Sequence, residues 1–219
     1  MDNTFAFIAL AAVAIGIAWY FSSARRKKLR AWAESNGLRF DPKADRSFDD
    51  RYPAFNCLRV GHTRRAYNVS EGSRSGRALV AFDYRYVIGH GKQRHVHNFS
   101  AIVLGSAVPL KPLRIRSENV FDKVGEFFGA DDIDFESAEF SRAFHVKSSD
   151  KRWAYDVLHQ RTIEFLLSMP RFSMQFGGQE MIVWRSRRFR PEVFDQAIAV
   201  AEGILDRLPG YVLREGGGT

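Results

Sequence analysis

His90, His95 and His97 fall close together around the segment GHGKQ. His95 and His97 are two apart on a predicted strand, so they share a face and could hold one metal ion, with His90 reaching across the turn as a third ligand. No carboxylate or cysteine in the same turn completes or orients such a site, and exposed hairpin histidines are the simpler account. A wider enzymatic reading combines His95 and His97 with His145 and Asp83, a set able to move protons if folding gathers it; the substrate is unspecified. Asp131, Asp132, Asp134, Glu136 and Glu139 alternate like the ligands of a calcium loop, but Ile133 and Phe135 interrupt them and the required glycine is missing. They read better as a helix start, with Asp134 as its cap.

Other catalytic signatures fail residue by residue. The stretch GSRSG has Arg74 where a nucleophile elbow needs serine, and Gly89-His90-Gly91 meets Arg94 where a dinucleotide loop needs its third glycine. There is no GxxxxGK[ST], no HExxH, and Cys57 is the single cysteine. The sequence implies no cofactor and no metal.

Cations offer a different chemistry. Arg25, Arg26, Lys27, Lys28 and Arg30 form one cluster, and Arg185, Arg187, Arg188 and Arg190 another beside Trp184. Both are candidate sites for anionic phospholipid or a protein partner. The segment 58–95 is strongly basic and 117–156 strongly acidic, so the chain is polarised; the two halves could also neutralise each other. The net charge of +8 owes much to the first cluster, which leaves little reason to expect nucleic acid as a partner.

That first cluster directly follows FAFIALAAVAIGIAWYF, Phe5 to Phe21, which carries no charge. With Thr4 and Ser22 it would extend about 28 Å as a helix, close to the thickness of a bilayer core. Cations follow the span and none precedes it, so the positive-inside rule places the N-terminus outside and the rest in the cytoplasm. Ser22 and Ala24 match a cleavage site, but the basic residues come after the apolar run, the wrong order for an export signal. Ala12 and Gly16 could form the seam of a homodimer through the membrane helix.

Behind the span, the 45% hydrophobic content and 30 aromatic residues suffice for a core and exclude a disordered chain. The helix is expected to run to Asn36 and stop at Gly37. A short extended LRF and an Asp-rich loop follow. Next come a hairpin, RRAYNVS–EGSRSG–RALVAFDYRYVI, and a third strand, RHVHNFSAIVL, making a meander. Pro109 and Pro112 are expected to bracket a loop before a fourth strand, LRIRS, and Ser117 to cap a helix through Phe128. A helix and a strand around FHVKS precede a helical stretch over 151–168, broken near His159. FSMQF–GGQE–MIVWRS reads as a second hairpin, and the helix from Pro191 shows one apolar face. The fold class is α+β, with an antiparallel-sheet domain and packed helices. The expected divisions are an anchor over 1–30, a cytoplasmic domain over 31–214 and a flexible tail over 215–219.

The layout of a single span, a basic stop and WAESNGLRF, followed by AFDYRY, DIDFESAEFSRAFHV and AYDVLH, resembles uncharacterised bacterial single-span membrane proteins with a cytoplasmic domain of unknown function. The resemblance implies an inner-membrane location and a single soluble unit, and brings no activity. The expected function is therefore a membrane-anchored, non-catalytic domain binding a protein partner or anionic lipid; the alternative is the enzyme assembled from His95, His97, His145 and Asp83.

Overall fold

The computed structural model describes the backbone of residues 2–117 and 131–211; side chains at 2–7, 9, 11, 14, 18 and 131 also lie outside the description. The expected helix after Ser117 and the C-terminal tail therefore fall outside the described residues. Helix α1, Asp2–Ser35, ends as the sequence predicts. Gly37 has φ +69°, its N–H donates to the Glu34 carbonyl at 3.1 Å, and Leu38 N–H reaches the Ala33 carbonyl at 2.8 Å. This pair of bonds is the glycine-dependent helix stop. Among the described residues no helix is long and apolar enough to cross a membrane. Part of the apolar run read from the sequence, at residues 5–7, 9, 11, 14 and 18, lies among the positions whose side chains are not described.

Among the described residues a seven-stranded, wholly antiparallel sheet follows. Strand β1, Arg39–Asp41, pairs with β2, His62–Arg74, which pairs with β3, Arg77–Ile88. The β2–β3 turn is two residues, Ser75 and Gly76, both at positive φ, tighter than the six-residue turn EGSRSG expected. That geometry matches the right-handed twist of the strands it joins. Strand β3 then pairs with β4, His95–Ser117.

Strand β4 corrects the expected break at Pro109 and Pro112. The third and fourth predicted strands are one 23-residue strand. The prolines sit where its pairing slips, between Gly105 and Leu110 and between Leu110 and Leu113. Bulges are where a residue without an N–H is tolerated in a sheet, so the prolines bend the strand without ending it.

The second hairpin is corrected in the same way. Residues Ser173–Arg185 form one strand, β7, running beside β4 from Met174–Ile115 to Arg185–Ser100. Gly177 and Gly178 lie at the bend of this ribbon, opposite the slips in β4. Gly178 takes φ +64°, and a Cβ on Gly177 would stand 2.7 Å from that of Ala54. Both halves of β7 are buried, each against a different half of β4. The upper half of β4 also pairs with β3, and its lower half with β6, Phe144–Ser148, which carries β5, Asp131–Ile133.

One face of the sheet is covered by the second half of α1 and by α3, Ala138–Ala143, α4, Lys151–Val157, α5, Gln160–Ser168, and α6, Pro191–Leu205. The short α2, Phe48–Arg51, and the 3-10 turn at Asn56–Leu58 cover the other, over Val80, Phe82, Tyr84 and Tyr86. These four alternate on one face as their spacing predicts, and the break near His159 falls between α4 and α5. The cap of α3 is Ser137, whose Oγ accepts from Phe140 N–H at 3.3 Å; Asp134, the expected cap, is three residues too early. Ser137→Ala is expected to lower the unfolding free energy by about 1 kcal/mol in urea titrations. Asp134→Ala should leave it unchanged.

Candidate functional site

The five cations after the apolar run have different fates. Arg25 turns inward: its Nε and Nη2 hold the two oxygens of Asp83 at 2.9 and 2.6 Å, and its Nη1 donates to the Phe189 carbonyl at 2.8 Å. Its side chain is 19% exposed and that of Asp83 is 0% exposed, so the guanidinium expected to meet lipid or a partner is engaged in this ion pair. Asp83 also accepts from Asn68 Nδ2 at 2.9 Å and Ser100 Oγ at 2.5 Å, and Ser100 Oγ in turn accepts from Phe189 N–H at 2.9 Å. A buried carboxylate is tolerated only when so surrounded, and the planar guanidinium fork suits it. Asn68 reaches this knot because it sits at a bulge in β2 with φ +51°.

The helix stays attached beyond Arg25. Leu29, Trp32 and Ala33 are buried; Trp32 stacks on Phe194 at 5.0 Å between ring centroids and donates from Nε1 to Asp195 at 2.9 Å. Residue 30, the expected boundary between anchor and domain, thus lies inside a stretch of helix packed on the sheet. Arg30 covers the Phe40 ring at 5.5 Å, Arg26 reaches Ser23 Oγ at 3.5 Å, and Lys27 and Lys28 are exposed.

Two residues past Asp83 on the same face of β3 is Arg85. Its neighbours in register are Arg65 on β2 and Asn98 on β4, while Tyr67 lies opposite Asp83. These four, with Arg188, Ser22 of α1 and Ala44, line a cavity of about 440 Å³, within the usual range for small-molecule sites. Burial pushes the Tyr67 phenol above its ordinary range; the Asp83 charge adds to this, while Arg188, which hydrogen-bonds it, and Arg25 oppose. Its hydroxyl donates to Asn98 Oδ1 at 3.4 Å. Among the described residues no carboxylate pairs with Arg65, Arg85 or Arg188. Two acids adjoining the lining are committed elsewhere: Asp83, opposite Tyr67, to Arg25, and Asp45, beside Ala44, to the N–H and Oγ of Ser47.

Of the second arginine cluster, Arg188 alone lines the cavity. Arg185 donates to the Arg171 carbonyl at 2.6 Å and lies 3.9 Å over the Phe172 ring. Arg187 and Arg190 are exposed, one giving its carbonyl to Ser100 N–H and the other preceding α6. The alternative enzyme site is not assembled. His95 and His97 are exposed at the start of β4, His97 stacked on Tyr86. His145 is exposed near the other end of β4, opposite Arg116, and Asp83 is buried in its ion pair. His90 stacks on His62 at 4.6 Å. Among the described residues no three His, Cys, Asp or Glu side chains are placed to hold a metal ion.

The structure is thus an α+β domain whose first helix is locked across an antiparallel sheet beside a basic cavity. No protein-family model and no curated protein matches the chain. Among solved structures it is similar to the crystal structure of the mycobacterial trehalose monomycolate transport factor A, TtfA, at 15% identity and a TM-score of 0.65. The match covers 84% of this chain and 93% of that one, and the likeness is one of fold.

Proposed function

We propose that this chain is a membrane-anchored, non-catalytic domain that works at the cytoplasmic surface of a bacterial inner membrane, where it binds anionic lipid or a protein partner. The observation that carries this reading is the lock between Arg25 and Asp83. Helix α1 runs opposite to β3, with Ser22 beside Arg85 and Arg25 over Asp83. Following α1 back toward its apolar half therefore leads along β3 toward the turn at 89–94, which bears Lys92 and Arg94. With Phe5–Phe21 inserted, the locked helix would hold the cavity and this basic turn against the leaflet. Each cation near an anionic surface adds about 1 kcal/mol of attraction, and exposed Lys27 and Lys28 would contribute likewise. The name of TtfA, a transport factor, is compatible with a non-catalytic role; it supplies no cargo or partner for this chain.

Alkaline carbonate extraction of membranes tests the anchor. The full-length chain is expected in the pellet and a Leu10→Arg/Ile15→Arg double variant in the supernatant, since each central charge costs about 2.5–3.5 kcal/mol of insertion. Release of the unmodified chain would overturn the anchor. Orientation is read from Arg161→Cys, an exposed position in a protein whose own Cys57 is buried. A membrane-impermeant thiol reagent should label it only after the membrane is opened.

A further inference from the structure

We propose that the cavity between α1 and strands β2, β3 and β4 holds the phosphate of an anionic phospholipid headgroup. This assignment rests on the membrane-surface reading above and names the ligand. Three guanidinium groups, from Arg65, Arg85 and Arg188, share one cavity with no carboxylate paired to any of them among the described residues. Like charges brought together without a counter-charge repel, and an arrangement of this kind suits an anion that enters from outside.

The number and type of donors select a phosphate. A carboxylate is satisfied by one guanidinium fork, whereas a phosphate spreads its charge over several oxygens and can engage several arginines at once. Tyr67 orders the wall: its O–H donates to Asn98 Oδ1, which leaves the Asn98 Nδ2 hydrogens free to donate to a ligand oxygen. It also bonds Arg188, the cavity arginine contributed by the segment between β7 and α6. Asp83 does not compete for the cavity arginines because Arg25, Asn68 and Ser100 already occupy its oxygens.

The position of the cavity selects the source. Ser22 lines it and is the first residue after the apolar run that ends at Phe21. The headgroup layer adds about 5–7 Å to the hydrocarbon core on each side, so a cavity wall at Ser22 falls at the depth of lipid phosphates. Lys27 and Lys28, one turn further along α1, are exposed and lie outside the lining.

The test uses the full chain in dodecyl maltoside micelles, which contain no phosphate, with bound lipid counted by native mass spectrometry. One phosphatidylglycerol per chain is expected to be retained and displaced by excess inorganic phosphate, while succinate at the same concentration leaves it in place. Arg65→Gln and Arg85→Gln should each weaken retention about ten- to hundredfold, the loss expected for one charge-assisted hydrogen-bonding group. Arg161→Gln, at an exposed position of α5, should not. The lipid-free Arg85→Gln protein should melt at or above the unmodified chain, because it loses a repelled charge; a large fall in Tm would mean a structural arginine and overturn the proposal. Unchanged retention in both cavity variants would overturn the site. Equal displacement by succinate would overturn the choice of phosphate, and binding of inorganic phosphate without phosphatidylglycerol would overturn the lipid source. If neither probe binds the unmodified chain, the phosphate assignment fails, while carbonate extraction still decides the anchor independently.

Discussion

Arg25→Ala is expected to cost about 3–5 kcal/mol of folding stability, the loss that follows when one partner of a buried ion pair is removed. The reason lies on the carboxylate side. Asp83 is fully buried, and without Arg25 its charge would keep only the neutral donors Asn68 and Ser100. The Phe189 carbonyl would lose its guanidinium donor as well. Asp83→Asn should cost less, because an amide carries no uncompensated charge, but it turns an N–H₂ group toward groups that now donate to a carboxylate. The double variant Arg25→Ala/Asp83→Asn should cost less than the sum of the two single variants, since a pair removed together leaves no stranded ion. Chemical denaturation of the four proteins gives this cycle directly. Lys27→Ala and Lys28→Ala, one turn away and exposed, should stay within about 0.5 kcal/mol of the parent. A small effect at Arg25, comparable to those lysines, would mean that the cluster acts as a surface patch and that the lock between helix and sheet is not a structural determinant.

The difference between Arg25 and its neighbours was not legible in the sequence, and the reason is geometric. Arg25-Arg26-Lys27-Lys28 is a uniform basic run, and nothing in composition says which member turns inward. Asp83 is visible on the strand AFDYRY as a candidate proton-transfer group, but nothing in the alternation with Phe82 and Tyr84 says that the second half of α1 covers its face. The cavity was hidden for a sharper reason. The turn at Ser75-Gly76 fixes Arg74 opposite Arg77, and regular counting from there would set Arg65 opposite Tyr86. The bulge between Tyr67 and Ser70 shifts the pairing by one, so Arg65 stands opposite Arg85. A one-residue slip moves a side chain to the other face of a sheet, and so the bulge at Asn68 makes both the Asp83 knot and the arginine cluster. Local signals were reliable where the chemistry is local: the stop at Gly37, the break near His159, the start of α6 at Pro191, and the apolar alternation from Val80 to Tyr86. They failed where long-range pairing overrode turn-forming residues. Pro109 and Pro112 read as bracketing a loop and Gly177-Gly178 as a hairpin turn, yet they are bends in a ribbon whose two halves bury different parts of the core.

A chain beginning at Ala31 is expected not to fold, whereas one beginning at Ser22 is expected to fold cooperatively. The shorter chain keeps Trp32 and Ala33 but loses Arg25 and Leu29. Loss of Arg25 carries the cost argued above, and deletion of a buried leucine side chain typically costs a further 2–5 kcal/mol. Trp32 would also become part of a frayed helix end, too short to hold its stack on Phe194 or its bond to Asp195 by itself. These losses together reach the whole stability of a typical domain, about 5–15 kcal/mol. Circular dichroism and thermal melts of residues 22–219 and 31–219 distinguish the cases, and a sharp, equal transition in both would show that the helix is a detachable tether. The functional difference between those outcomes is mechanical. A detachable helix lets the domain swivel and sample any orientation relative to the apolar half of α1. A helix whose last turns form part of the core transmits its own tilt and rotation to the sheet, so that the cavity between Ser22 and Arg85 keeps one depth and one facing relative to whatever surrounds the apolar half of α1. A site at the depth of lipid phosphates needs that constraint, and the ion pair between Arg25 and Asp83, two residues along β3 from Arg85, is placed to impose it.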